Sequence, residues 1–92
     1  MDDVSDTLPC WVYRSRRKAD MYLYLSVEDS FDDLPGGLLE RFGRPELVMR
    51  LELSPGRTLA REKAETVLRN LRASGYHLQL PPRLEPDLYR GD

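Results

Sequence analysis

Two short segments near the start of the chain set the main constraint on its fold. Residues 10–13 read Cys-Trp-Val-Tyr, and residues 21–25 read Met-Tyr-Leu-Tyr-Leu. Aromatic, β-branched and leucine-rich runs of this length are strand signals. Alternate side chains of a strand point to opposite faces. Met21, Leu23 and Leu25 therefore share one face, and Tyr22 and Tyr24 the other; Cys10 and Val12 alternate with Trp11 and Tyr13. Neither segment has a clearly polar face. A strand apolar on both sides is normally covered on both sides. The two are placed inside a sheet, with a layer above and a layer below.

The rest of the chain supplies those layers. Residues 14–20, Arg-Ser-Arg-Arg-Lys-Ala-Asp, form a polar connection that suits an antiparallel hairpin with a long loop. A helix is predicted over residues 34–43. Pro35 fits its first position, where a missing N–H costs nothing, and Gly43 suits its stop. Glu28, Asp29, Asp32 and Asp33 fall before or inside its first turn, where the helix dipole favours acids. The Gly36-Gly37 pair weakens it by about 1 kcal/mol per residue relative to Ala. In residues 46–53, Leu47, Met49, Leu51 and Leu53 alternate with Arg50 and Glu52, as in a half-buried strand near an edge. After a turn at residues 54–57, Ala60, Ala64, Val67, Leu68 and Leu71 make one apolar stripe of a main helix. Thr58 can cap it, so that it starts at Leu59, or it starts nearer Glu62. Gly75 ends it. Residues 76–80 read as a last strand, stopped by Pro81 and Pro82.

The predicted order is β-β-α-β-α-β. The fold class is α/β (α+β): a single-domain α/β/α sandwich with a small, mostly antiparallel sheet of about four strands and a helix on each face. Residues 1–8 are expected to be a flexible acidic arm, 9–82 the domain and 83–92 a flexible tail. Ninety-two residues leave room for one domain and one thin core.

Charge and cysteine usage narrow the function classes. The net charge of −2 argues against general attraction to nucleic acid, which usually goes with a clearly basic domain. All basic residues but Lys18 and Lys63 are Arg. One thiol, Cys10, allows neither an internal disulfide nor a cysteine zinc cluster, and suits a reducing cytoplasm. The start of the chain is acidic rather than signal-like. No apolar run approaches the roughly 20 residues that span a bilayer. A cytoplasmic location without membrane contact is expected.

Few residues carry recognisable chemistry. His77 is the only histidine; a general base needs an oriented partner, and the sequence identifies none. A Cys10–His77 dyad requires the first and last strands to be neighbours; otherwise Cys10 reads as a small buried hydrophobe. The acids at 28–33 lack the calcium-loop pattern, and Gly36-Gly37 matches no nucleotide fingerprint. No catalytic residue, metal ligand, cofactor or small-molecule ligand is assigned. Arg14, Arg16, Arg17 and Lys18 are the one dense charge cluster. Flanked by Tyr13, Tyr22 and Tyr24, they read either as a solvated loop or as a contact for RNA or an acidic protein surface.

Several stretches together resemble the YcgL-domain family, a group of small bacterial proteins of uncharacterised function. They are VYRS at 12–15, MYLYL at 21–25, LLERFGRPELVM at 38–49 and GYHLQLPP at 75–82. The resemblance spans about residues 10–82 and includes a cysteine shortly before the VYRS-type stretch, matched by Cys10. It implies an α/β/α sandwich. In some bacteria the family's gene lies beside that of ribonuclease D, which implies an RNA-related context. Two features depart from the family: the acidic start is longer, and Arg61 stands where the main helix often has a better capping residue.

The functional expectation is a non-enzymatic interaction module that binds a protein or RNA partner through Arg14, Arg16, Arg17 and Lys18. The alternative is a small hydrolase or nuclease accessory using His77 and a carboxylate.

Overall fold

A computed structural model describes residues 7–59 and 62–81. Four strands, β1 (Leu8–Ser15), β2 (Tyr22–Leu25), β3 (Pro45–Leu53) and β4 (Tyr76–Gln79), form one sheet in the order β3-β1-β2-β4. Every pairing in it is antiparallel. Among the described residues there are two α-helices, α1 (Leu38–Phe42) and α2 (Ala64–Ser74), and a 3₁₀ turn at Phe31–Asp33.

The two-sided apolar strands are the central pair, and their side chains divide as alternation requires. Cys10, Val12 and Tyr24 join Leu51, Leu53 and the α2 residues Ala64, Val67, Leu68 and Leu71 in one core cluster. Tyr13, Leu23 and Leu25 join Met21 and Phe42 of α1 in a second. Successive residues of a strand face opposite ways, so the two clusters lie on opposite sides of the sheet.

Several boundaries differ from the sequence expectation. The first strand begins at Leu8, inside the expected arm, and Pro9 lies within it. Pro9 pairs with Glu52 of β3, whereas pairing with β2 starts only at Trp11. Its missing N–H is tolerable because that end of β1 has one neighbour among the described residues. The helix expected over 34–43 is shorter. Residues 36–37 form a turn, and α1 starts only after Gly37, whose φ of 86° is left-handed. The acids therefore do not load a helix front: Asp32 and Asp33 belong to the separate 3₁₀ turn. The main helix starts at Ala64, later than either Leu59 or Glu62. Lys63 is extended and forms an antiparallel bridge with Thr58. Residues 1–6 of the expected arm, 60–61, Pro82 and the expected tail at 83–92 lie outside the described residues.

The alternation expected of residues 46–53 also breaks. Val12 pairs with Met49 but Tyr13 with Leu47, so Val48 is an extra residue in β3. Such a bulge breaks the strict alternation of faces along the strand. Leu47, Val48 and Met49 are left 49%, 44% and 48% exposed.

Gly43 ends α1 with its N–H bonded to the Leu39 carbonyl at 2.8 Å and φ at 85°. A Cβ there would meet the Arg17 Cβ at 2.9 Å. Gly43→Ala is expected to lower the unfolding free energy by about 1–3 kcal/mol, measured by urea denaturation. An unchanged midpoint would contradict the close seating of α1 on the chain at Arg17.

Candidate functional site

The basic connection is ordered by one hydroxyl. Ser15, at the end of β1, is buried. Its Oγ accepts the backbone N–H of Arg17 at 3.0 Å and of Lys18 at 2.8 Å, and donates to the Phe42 carbonyl. Serine does this at turns because its short side chain reaches backbone two or three residues on. The hairpin is closed by the Ser15 N–H on the Met21 carbonyl at 2.9 Å. The Arg16 N–H bonds to the Arg44 carbonyl at 3.3 Å. The connection thus lies against the corner between α1 and β3.

The four expected contact residues are brought to one end of the sheet but are not equivalent. Arg14 Nε donates to Glu46 Oε1 at 2.9 Å across the β1–β3 pair. The bonded guanidinium holds the Glu46 carboxyl below the usual carboxylate range. Arg17 donates to the Glu40 carbonyl at 2.8 Å, which turns it toward α1. Among the described residues, Arg16 and Lys18 are exposed and make no side-chain hydrogen bond or ion pair with another described residue. Arg16 helps line an open hollow with Arg14, Asp20, Tyr22 and Glu46.

The flanking tyrosines are mostly consumed by the core. Tyr13 donates to Asp29 Oδ1 at 2.8 Å and accepts the Asp29 N–H at 2.9 Å. Asp29 adopts a left-handed φ of 59° there, a conformation aspartate tolerates. Tyr24 is buried and donates to Gln79 Oε1 at 2.8 Å. Tyr22 alone is half-buried beside the arginines.

The sequence did not reveal the surroundings of His77. The ring is buried on the α2 side, edge-on to Tyr24 at 5.6 Å between centroids. Its Nδ1 lies 2.8 Å from Asn70 Nδ2, and its Nε2 lies 2.7 Å from Glu62 Oε1. The amide as placed donates to Nδ1, which leaves the proton on Nε2 facing the carboxylate. Both ring nitrogens are occupied, so neither is open to a substrate. Asn70 is the one signal the sequence offered: a neutral amide in a helix whose other polar positions are mostly charged. The Cys10–His77 dyad does not form, because β2 separates β1 from β4. Two strand spacings amount to roughly 10 Å. Burial pushes the Cys10 thiol up to about 12 from 9.0.

Tyr22, Met49 and Leu51 line a hollow of about 370 Å³ beside Arg57, Thr58 and Leu59. Among the described residues, no three His, Cys, Asp or Glu side chains converge as metal ligands would, and no helix is long and apolar enough to cross a membrane.

Comparison with known proteins gives a consistent result. Residues 10–82 match the model of the YcgL domain. A YcgL domain-containing protein of Thioalkalivibrio sulfidiphilus is 50% identical over 78 residues, covering 85% of this chain and 96% of that protein. One from Stutzerimonas stutzeri is 51% identical over 75 residues, 82% of this chain and 77% of that protein.

Two outcomes test the geometry. Ser15→Ala strands the Phe42 carbonyl and two amides and is expected to cost about 1–3 kcal/mol in urea unfolding; a neutral effect would mean the hydroxyl does not organise the connection. Cys10 is expected to resist thiol reagents at neutral pH until the protein is unfolded. Its raised pKa favours the fold fully below pH 9.0, and that contribution is lost as pH rises toward about 12. Alkaline titration of stability should therefore decline from pH 9, less steeply in Cys10→Ala; equal slopes would contradict the burial.

Proposed function

We propose, for a chain that belongs to the YcgL domain family, that it works as a non-enzymatic interaction module docking an acidic protein surface on its basic connection. The observation that carries this reading is that Ser15 holds the connection in one shape while Arg16 and Lys18 stay exposed. Each is without a side-chain bond among the described residues. A preordered cationic loop loses little freedom on binding. Arg14 and Arg17, already tied to Glu46 and the Glu40 carbonyl, serve as its frame.

A protein is favoured over single-stranded RNA. Sequence-tolerant RNA binding combines cations with aromatic faces on which bases stack. Tyr13 and Tyr24 are buried and hydrogen-bonded, which leaves Tyr22 as the only neighbouring platform among the described residues. The alternative, a hydrolase or nuclease accessory using His77 and a carboxylate, gains nothing from a ring bonded at both nitrogens. The two core clusters support the α/β/α sandwich as the scaffold. A single buried thiol suits the reducing cytoplasm as its compartment.

The test compares wild type with Arg16→Ala/Lys18→Ala in affinity capture from the source cell, together with titration of labelled single-stranded RNA at two salt concentrations. An acidic protein retained by wild type and lost by the double variant is the expected result. Retention that ignores the double variant would overturn the site. RNA binding that weakens steeply with salt would replace the protein reading with the RNA one.

A further inference from the structure

We propose that the outer edge of β3 pairs with the same edge of a second copy, in antiparallel register centred on Leu51. This interface is separate from the basic connection and does not depend on the reading given to it.

The two edges of the sheet differ. β4 has four residues, and Pro81 follows shortly after it. β3 has nine and, among the described residues, pairs with β1 alone. An unpaired strand edge is a template for another strand, and proteins usually blunt it with shortness, proline, charged side chains, a bulge or a covering segment. Here Pro45 and the bulge at Val48 blunt the first half only. From Met49 to Leu53 the strand runs regularly, residue for residue, against Val12 to Leu8. It contains no proline, and Met49 at its start is 48% exposed. Its two charges, Arg50 and Glu52, are of opposite sign and so can pair across an edge instead of repelling it.

Charge and facing select one register for a symmetric pair. Leu51 and Leu53 face the α2 side, and Met49 shares their alternation; Arg50 and Glu52 face the other. Directly opposed residues must lie on the same face, and a one-residue slip breaks this match. The two-fold axis must therefore pass through a residue. An axis at Arg50 sets Arg50 against its copy, and an axis at Glu52 sets Glu52 against its copy; like charges directly opposed are unfavourable. Axes at Met49 or Leu53 match the faces but carry half of the pairing past the bulge at Val48 or the end of the strand. An axis at Leu51 keeps the pairing within residues 49–53 and sets Arg50 against the second copy's Glu52, twice by symmetry. On the other face it sets Met49 against Leu53 and Leu51 against itself. Arg50 is already poised for this. Its guanidinium lies over Trp11 at 5.4 Å and bonds Glu52 of its own strand at 2.8 Å. Pairing would turn two such ion pairs into a four-charge row across the axis. The product is one continuous sheet with four strands from each copy.

Sedimentation equilibrium at low and moderate salt tests this on wild type, Arg50→Glu, Glu52→Arg and the combined exchange. Wild type is expected to dimerise in the micromolar range. Each single reversal opposes like charges twice and should weaken the dimer about tenfold or more, and the combined exchange should restore it. Thermal unfolding of each variant checks that the monomer stays folded. Amide exchange on the wild type gives an independent reading: exchange within residues 49–53 should slow as concentration rises. A monomer throughout the sub-millimolar range would overturn the proposal. So would a dimer indifferent to the single reversals, a double exchange that fails to restore it, or exchange at 49–53 independent of concentration.

Discussion

The structure depends on burying both faces of the β1–β2 hairpin. Its strands offer Cys10, Val12 and Tyr24 to one side and Tyr13, Leu23 and Leu25 to the other, all nearly inaccessible. Apolar burial contributes roughly 25 cal/mol per Å². A chain this short has few other sources of stability, so leaving either side bare would remove much of what it has. Each helix is placed by that need. α2 lays Ala64, Val67, Leu68 and Leu71 on one face. α1, five residues long and too short to stand alone, is tied into the second cluster through Phe42, which is fully buried.

The same arrangement forms the surface features. The turn that links the two central strands must leave the sheet at its end, and there it meets the corner where α1 gives way to β3. Ser15 joins the two through the Phe42 carbonyl, and Gly43 leaves room for Arg17. The cationic loop is thus an outgrowth of core packing rather than a free appendage. On the opposite side, Tyr22 and Met49 line a hollow beside Arg57, Thr58 and Leu59, while the polar set of His77, Asn70 and Glu62 fastens β4 to α2 and to the residue two positions before it.

Much of the fold was legible in the sequence because period and composition carry it. The two-sided strands, the stripe of α2, Gly43 and Gly75 as helix stops, and the proline terminator after β4 each come from a local rule. What was not legible depended on partners distant in sequence. Pro9 enters β1 because β2 stops short of it, and Val48 becomes an extra residue because Tyr13 pairs with Leu47. Neither is written in its own neighbourhood. The expectation for residues 34–43 failed where Gly36-Gly37 preferred a turn to a helical start. At the candidate site, the cluster of Arg14, Arg16, Arg17 and Lys18 was readable as charge. Its division into framed and exposed cations was not, since that rests on Glu46 and the Glu40 carbonyl. His77 was visible as a lone residue, but Glu62 and Asn70 reach it from fifteen and seven positions away.

The extra residue at Val48 has an effect on how far sheets can grow. A long, flat, greasy border invites copy after copy to stack, the route to fibrils. Here the border changes face midway, so the aligned backbone beyond Met49 ends after a few residues. A strand added along that short stretch would run out of matched backbone at the register shift, which works against open-ended growth.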